Sequence, residues 1–219
     1  QVNSLGVAVS PFYPVHGNTT LPEDPLTSAR NGASDTVRVL TGSNKDETTL
    51  WSVGETDQAK LERTVAGYQA EEALAVYQRT RPEASSHDLL VAITTDHMFR
   101  IPAIRLAEAR QGAAATYMYQ FNWRSRALDG ALAATHSLEI PFAFDNLDQA
   151  GVDFFLGPGP SPQGLADAMH KAWCDFIKTG EPGWPAYDTS TRATMFFDDV
   201  CEVVENPDSE ERAAWDGIR

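Results

Sequence analysis

The sequence has little cysteine, few basic residues and no long apolar run. Cys174 and Cys201 are too few for a disulfide scaffold or a structural zinc site, although they could form one bond or none. No stretch approaches the roughly 18 uninterrupted apolar residues of a membrane helix, so we expect no membrane span. The 17 basic and 31 acidic residues give a net charge of −14. This balance argues against a nucleic-acid partner or an anionic membrane, because both repel an acidic surface.

Several motifs that carry chemistry are also missing. The chain has no P-loop, no Gly-x-Gly-x-x-Gly after a strand and no His-Glu-x-x-His, and its five histidines do not pair at metal-ligand spacing. We therefore expect no cofactor and no metal site. There is also no Gly-x-Ser-x-Gly nucleophile elbow and no His-Gly-Gly-Gly run. The chain begins at Gln1 rather than Met, which suggests that residues upstream are absent.

The residues that are present predict an α/β protein. Hydrophobic residues make up 42% of the 219 positions, which is enough for a packed core. Strands separated by helices favour parallel pairing, but about four strands are fewer than a complete sheet normally has. Residues 1–35 are predicted to be irregular. The predicted strands are 36–41, 116–123, 193–197 and 202–204, the last two forming a hairpin; the predicted helices are 57–78, 86–110 with a break or kink at Pro102, 163–178, and 209–215 capped by Ser209.

A pair of carboxylates follows the first predicted strand. Asp46 and Glu47 lie just beyond it, and in open α/β sheets such groups point into the active-site crevice. A carboxylate there can orient a histidine. The same residues could instead start a helix, where acids interact favourably with the helix dipole. Spacing alone favours this second interpretation.

A histidine follows the second predicted strand in the same sense. His136 there could act as a general base, although a lone histidine is more often an ordinary half-buried imidazole. Considered together, an acid after one strand and a histidine after the next match a hydrolase triad in which the chain order is nucleophile, acid, base.

The chain resembles the C-terminal part of type-B carboxylesterases, the α/β-hydrolase family that includes cholinesterases and para-nitrobenzyl esterases. Seven segments match this family in the correct order, and together they are far more specific than any one of them. They are Phe12–Pro22, Gly42–Glu47, Asp96–Pro102, Tyr117–Phe121, Thr135–Phe144, Met169–Pro182 and Trp184–Tyr187. The resemblance implies that residues 1–219 form the C-terminal portion of a single α/β-hydrolase domain. Its expected architecture is a partial, mostly parallel sheet flanked by helices, with a C-terminal β-hairpin.

The resemblance also implies roles for particular residues. Glu47 falls on the triad acid and His136 on the triad base of a serine esterase. Glu139 falls on the acidic residue three positions after the histidine, and it either supports the pair from behind or simply steadies the loop. The chain departs from the family at Thr48, where a glycine is frequent, and at Ser137, where a smaller residue is usual.

Aromatic residues near these two loops offer a candidate substrate pocket. Trp51, Trp123 and Phe142, together with Phe121, could line an apolar site for the acyl or alcohol group of a small-molecule ester. The alternative is core packing, which we favour for Phe121 and Phe142.

The triad serine and the oxyanion hole are not in this sequence, since the family carries both upstream. We therefore expect the chain to be inactive alone and to need the N-terminal portion of the same esterase as its partner. That portion would also cover the edge of the first strand, which is otherwise an aggregation hazard. The alternative function is a binding or adhesion module of the same fold, which some relatives have become after losing the triad. Retention of Glu47 and His136 argues against this alternative.

Overall fold

The computed structural model describes residues 15–52 and 56–218. The first matching segment, Phe12–Pro22, therefore lies partly outside the described residues. Within the described residues, four strands form one mixed sheet in the order β1-β2-β3-β4. The strands are β1 (Val39–Asn44), β2 (Thr116–Phe121), β3 (Thr194–Phe197) and β4 (Glu202–Val204).

The pairing of these strands confirms the predicted architecture. Strand β1 runs parallel to β2 and β2 runs parallel to β3, whereas β3 and β4 form the predicted antiparallel hairpin. The carboxyl ends of β1, β2 and β3 therefore lie at the same edge of the sheet.

Strand β1 does not lie where the sequence predicted it. It starts at Val39 rather than Thr36, and it continues through Gly42 to Asn44. A glycine usually weakens a strand, and the predicted strand accordingly stops before Gly42. In the structure β2 lies so close that a Cβ on Gly42 would be 2.2 Å from the carbonyl oxygen of Tyr119. Only glycine permits this approach.

Helices cover the sheet, and the predicted 57–78 helix is in fact two. The break is at Gln69, which has φ of 56° and ends the first of them in a left-handed conformation. No glycine or proline marks this position.

The helices are α1 (Pro25–Arg30), α2 (Gln58–Tyr68), α3 (Glu71–Thr80), α4 (Ser86–Thr95), α5 (Ile101–Ala109), α6 (Ile140–Ala143), α7 (Val152–Leu156), α8 (Gln163–Thr179) and α9 (Ser209–Ala213).

A π-helical turn, Asp96–Arg100, joins α4 to α5. The sequence predicted a break or kink at Pro102, and the irregular turn lies just before that residue. Proline lacks an N–H and cannot continue the regular hydrogen-bond ladder, which accounts for an irregularity on its N-terminal side.

Two smaller predictions were wrong. Residues 1–35 are not irregular throughout, because α1 forms within them, capped by the Asp24 carboxylate. Helix α9 does begin at Ser209, but its N-cap is Asp208 and no side chain makes a capping bond. Cys174 and Cys201 are both free thiols.

The core has two main parts. One lies between the sheet and α8 and contains Phe121, Phe142 and Met169. The other lies among α2, α3, α4 and the C-terminal residues, where Trp215 is 1% exposed. None of the described helices is long and apolar enough to cross a membrane.

Candidate active site

The loops after β1 and β2 are joined by backbone hydrogen bonds. The Asp46 N–H donates to the carbonyl of Ala134 at 3.0 Å, and the His136 N–H donates to the carbonyl of Glu47 at 3.1 Å. The Thr49 hydroxyl donates to the Leu132 carbonyl at 2.7 Å. Because the two strands are parallel neighbours, their carboxyl ends bring these loops together.

Glu47 and His136 face each other across this junction. Glu47 begins a short 3₁₀ helix, Glu47–Trp51, and its Oε2 lies 2.6 Å from Nδ1 of His136, although the residues are 89 positions apart in the chain. The other carboxylate oxygen, Oε1, accepts the backbone N–H of Asn44 at 2.8 Å. The Glu47 side chain is 7% exposed, whereas that of His136 is 38% exposed. The imidazole is thus held on its inner side and open on its outer side.

Burial dominates the electrostatics of the carboxylate. Desolvation raises the pKa of Glu47 above its usual value of 4.5, and the hydrogen bonds from Asn44 and His136 oppose this rise. The negative charge of Glu139 adds a small further increase to the pKa. This direction is opposite to the depressed or ordinary pKa that suits a carboxylate which stays ionised while it orients a histidine.

Two aromatic rings lie against the imidazole. The ring of Trp51 is centred 4.9 Å and that of Phe99 is centred 5.2 Å from the His136 ring, and the two aromatic rings stack on each other at 6.0 Å. Phe99 lies on the π-helical turn. Sequence reasoning gave this residue no place in the site, although it belongs to one of the seven matching segments.

Asn44, the last residue of β1, was also missed. Its Nδ2 donates to the carbonyl of Thr135 at 2.7 Å and to Oε2 of Glu139. Glu139 therefore contacts the pair through Asn44 and lies behind the histidine loop. The relevant signal was the Asn-x-x-Glu spacing at the end of the strand, but a buried amide cannot be recognised from spacing alone.

The two departures from the family pattern have clear local structures. Thr48 is buried, and its hydroxyl lies 2.6 Å from the Thr94 hydroxyl, so it fixes the 3₁₀ helix to α4. Ser137 has φ of 66°, in the left-handed region where glycine is favoured.

The aromatic residues predicted to line the substrate pocket differ in their burial and surroundings. Trp51 is 48% exposed beside His136, whereas Phe142 is fully buried and packs against Phe121 and Trp123 in the core. Trp123 is itself largely buried but borders a cavity of about 400 Å³, with Arg124 and Asp198 among the other lining residues.

No serine hydroxyl among the described residues reaches the outer nitrogen of the imidazole. Nδ1 of His136 is engaged by Glu47, and Nε2 has no hydrogen-bond partner within residues 15–52 and 56–218. The described residues also contain no group of three or more His, Cys, Asp or Glu side chains that could hold a metal ion.

An acid after one parallel strand and a histidine after the next, joined at their carboxyl ends, define this molecule as part of an α/β-hydrolase. The carboxylesterase family model matches residues 2–215, and the chain belongs to the carboxylesterase family.

Individual relatives agree with this assignment. The chain is 31% identical over 213 residues to a para-nitrobenzyl esterase of Bacillus subtilis, covering 92% of this chain and 42% of that protein. It is 29% identical over 202 residues to a phenmedipham hydrolase of Pseudarthrobacter oxydans, covering 86% of this chain and 40% of that protein. A solved carboxylesterase of Geobacillus stearothermophilus superposes with a TM-score of 0.78 at 32% identity, covering 90% of this chain and 44% of that one. The chain thus spans about two fifths of the length of the curated relatives it matches.

Proposed function

We propose that this chain supplies the acid and the base of a serine-type carboxylic ester hydrolase. The observation that carries the proposal is the contact between Oε2 of Glu47 and Nδ1 of His136 at 2.6 Å, in a half-exposed site at the carboxyl end of the sheet. Membership of the carboxylesterase family supports the same reaction class.

Each residue has a defined task in this reaction. His136 takes the proton of a serine hydroxyl through Nε2 as the serine attacks the ester carbonyl, and it later gives that proton to the leaving alcohol. Glu47 accepts the Nδ1–H and so fixes the tautomer in which Nε2 is a free base. It also stabilises the imidazolium that forms, without itself becoming protonated.

The serine and the oxyanion hole come from the N-terminal portion of the same esterase. Triad members act as a unit, so loss of the serine lowers turnover by a factor on the order of 10⁶. Loss of one oxyanion donor raises the barrier by a further ~2.7–4 kcal/mol. The 219-residue chain alone should therefore not hydrolyse esters at an enzymatic rate.

The edge of β1 is the place for this partner to join. Within the described residues, β1 pairs only with β2, so its other edge carries unpaired backbone groups. A parallel strand from the N-terminal portion would satisfy these groups and would bring its own carboxyl end to the same edge as Glu47 and His136.

The substrate pocket would be completed by the same partner. The cavity beside Trp51 and Thr48 has a volume of only about 60 Å³, well below the roughly 300–1,000 Å³ of a typical ligand pocket. We assign Trp51 to one wall of the ester site. Trp123 and Phe142 would shape it less directly, since Trp123 borders a separate cavity and Phe142 supports Trp123 from the core.

Hydrolysis of a chromogenic p-nitrophenyl ester tests the proposal. The rate is measured for the chain alone, for the N-terminal portion alone and for the two co-expressed. We expect activity only from the co-expressed pair, and we expect it to be lost in His136→Gln. His87→Gln is the matched control, because His87 lies on α4 and the hydrogen-bond partner of its ring among the described residues is the Thr56 hydroxyl, at 3.4 Å.

Three outcomes would contradict this proposal. Full activity of the chain alone would show that the serine is not needed from a partner. Unchanged activity in His136→Gln would remove the proposed base. A co-expressed pair that assembles but hydrolyses no ester would instead favour the binding-module alternative.

A further inference from the structure

We propose that Asn44 is a positioning residue that holds the His136 loop against Glu47. Asn44 is 1% exposed and is the last residue of β1. It contacts the acid with its backbone and the histidine loop with its side chain. The consequence for hydrolysis rests on the proposed function, whereas the positioning itself can be measured without it.

The contacts of Asn44 connect three parts of the site. Its backbone N–H donates to Oε1 of Glu47 at 2.8 Å. Its Nδ2 donates to the carbonyl of Thr135, the residue before His136, at 2.7 Å. The same Nδ2 donates to the carboxylate of Glu139, three residues after His136. The histidine is thus held on both sides within its own loop.

The chemistry of these partners fixes the orientation of the amide. The Thr135 carbonyl and the Glu139 carboxylate oxygen are both acceptors, so the amide presents the hydrogens of Nδ2 to them. As a result Oδ1 points elsewhere, and this buried oxygen has no donor among the described residues.

A carbonyl or carboxylate that is buried without a donor lowers stability. An apolar side chain of similar shape at position 44 would leave the Thr135 carbonyl and the Glu139 carboxylate without the donor that Asn44 supplies. The two donations to the histidine loop therefore account for an asparagine at this position, since no apolar residue can make them.

The expected effect of losing Asn44 is a displaced imidazole. Small displacements of a catalytic group lower turnover strongly, and a shift of about 1 Å can reduce the rate about 100-fold. Because Asn44 does not touch the ester, its loss should lower kcat about 10- to 100-fold in the assembled esterase and leave KM nearly unchanged.

The direct test is proton and nitrogen NMR of the imidazole of His136 in the purified chain. The Nδ1–H donated to a buried carboxylate gives a strongly downfield proton signal, which is assigned by its disappearance in His136→Gln. In Asn44→Leu, which keeps the side-chain volume, we expect this signal to move upfield or broaden. Far-UV circular dichroism establishes that the variant is folded.

Asn122→Leu is the matched control. Asn122 is also buried, at 8% exposure, and lies just beyond β2, but its side-chain oxygen accepts from Nε2 of Gln120 and makes no hydrogen bond to Glu47, Thr135 or Glu139. We expect this variant to leave the downfield signal in place. The same pair of variants gives the kcat and KM comparison in the co-expressed esterase.

Variants of Glu139 cover the case in which Asn44→Leu does not fold. Glu139→Leu removes one acceptor of Nδ2 and should shift the signal less than loss of Asn44 does. Glu139→Gln keeps an acceptor oxygen and should restore the signal. If Asn44→Leu folds and its downfield signal is unchanged, the proposal is overturned. If only Glu139→Leu can be measured, an unchanged downfield signal in that variant overturns it equally. A signal lost as expected in a protein that hydrolyses no ester would instead leave the positioning role intact and contradict the proposed function.

Discussion

Glu47 uses both oxygens of its carboxylate, one for the ring of His136 at 2.6 Å and the other for the backbone N–H of Asn44 at 2.8 Å. The ring of His136 and the backbone N–H of Asn44 each face a Glu47 oxygen that accepts hydrogen bonds. The backbone N–H can only donate, and an ionised carboxylate can only accept, so Nδ1 of His136 carries its proton toward Glu47. The lone pair of the imidazole is then on Nε2, at the half-exposed side of the ring.

Glu47→Gln should reverse this tautomer. The amide oxygen of glutamine would accept the fixed N–H of Asn44, and its NH₂ group would face Nδ1. His136 would then carry its proton on Nε2 and could not act as a base. Imidazole ¹⁵N shifts in the purified chain should show the change of tautomer, and kcat in the assembled esterase should fall about 10⁴-fold.

Asp46→Asn is the control for this variant. Asp46 lies next to Glu47, but its carboxylate contacts Arg124 and the backbone of Ala134 rather than the imidazole. We expect the His136 tautomer to be unchanged in this variant. An Nδ1-protonated imidazole in Glu47→Gln would show that something other than Glu47 sets the tautomer.

The sequence was informative where chemistry and chain order coincide. Glu47 and His136 were assigned because the resemblance to the carboxylesterases implies a role for each. Both also follow a strand signal, and the parallel sheet brings the two loops to one edge. The aromatic run of β2 was equally clear. These features depend on local composition and on topology, which a sequence carries directly.

Other features depend on contacts that only the folded chain forms. Gly42 belongs to a strand because Tyr119 lies against it, and Gln69 ends a helix although it is neither glycine nor proline. Asn44 is a polar residue at the end of a strand in the sequence, and its importance depends on Thr135 and Glu139, more than 90 positions away. Long-range packing of this kind leaves no local pattern.

The raised pKa of Glu47 predicts a pH dependence of stability. A carboxyl whose pKa is higher in the folded state binds its proton more tightly there than in the unfolded chain. Its contribution to stability is therefore present below the unfolded value of about 4.5 and is lost as the pH rises through the folded value.

Denaturant unfolding from pH 4 upward, compared between the wild type and Glu47→Gln, measures this contribution. We expect the wild type to lose unfolding free energy relative to the variant as the pH rises above about 4.5, and the difference to level off above the folded pKa. A wild type that instead gains stability relative to the variant would mean that pairing with His136 outweighs burial.

A buried ion pair in the helical layer gives a prediction about folding. Nε of Arg100 donates to Oδ1 of Asp96 at 2.6 Å, both residues are less than 10% exposed, and the Tyr77 hydroxyl also donates to this carboxylate. Asp96→Ala leaves the guanidinium buried without its partner. We expect it to lower the unfolding free energy by about 3–5 kcal/mol.

The exposed pair of Arg79 and Glu210 is the control for this prediction, since both of its side chains are 60% exposed. Glu210→Ala should leave the unfolding midpoint essentially unchanged, because solvent screens such pairs. Equal effects of the two variants would show that burial does not govern the Asp96 pair.

The loop that carries His136 contains a strained residue. Ser137 has φ of 66°, and its Cβ makes this conformation less favourable than it would be for glycine. Branching at Cβ adds to the strain. We therefore expect Ser137→Val to lower the unfolding free energy by about 1–2 kcal/mol, while Ser137→Ala stays close to the wild type because alanine carries the same Cβ.

Ser137→Gly completes the series. Glycine relieves the strain of the folded loop but gives the unfolded chain more freedom, and these two effects partly cancel. The expected result of urea unfolding is therefore similar stability for the glycine, serine and alanine proteins, with the valine variant clearly last. A valine variant as stable as the wild type would show that the loop can leave the left-handed conformation freely. In that case the backbone bond from His136 to the Glu47 carbonyl, at 3.1 Å, would not hold the imidazole rigidly.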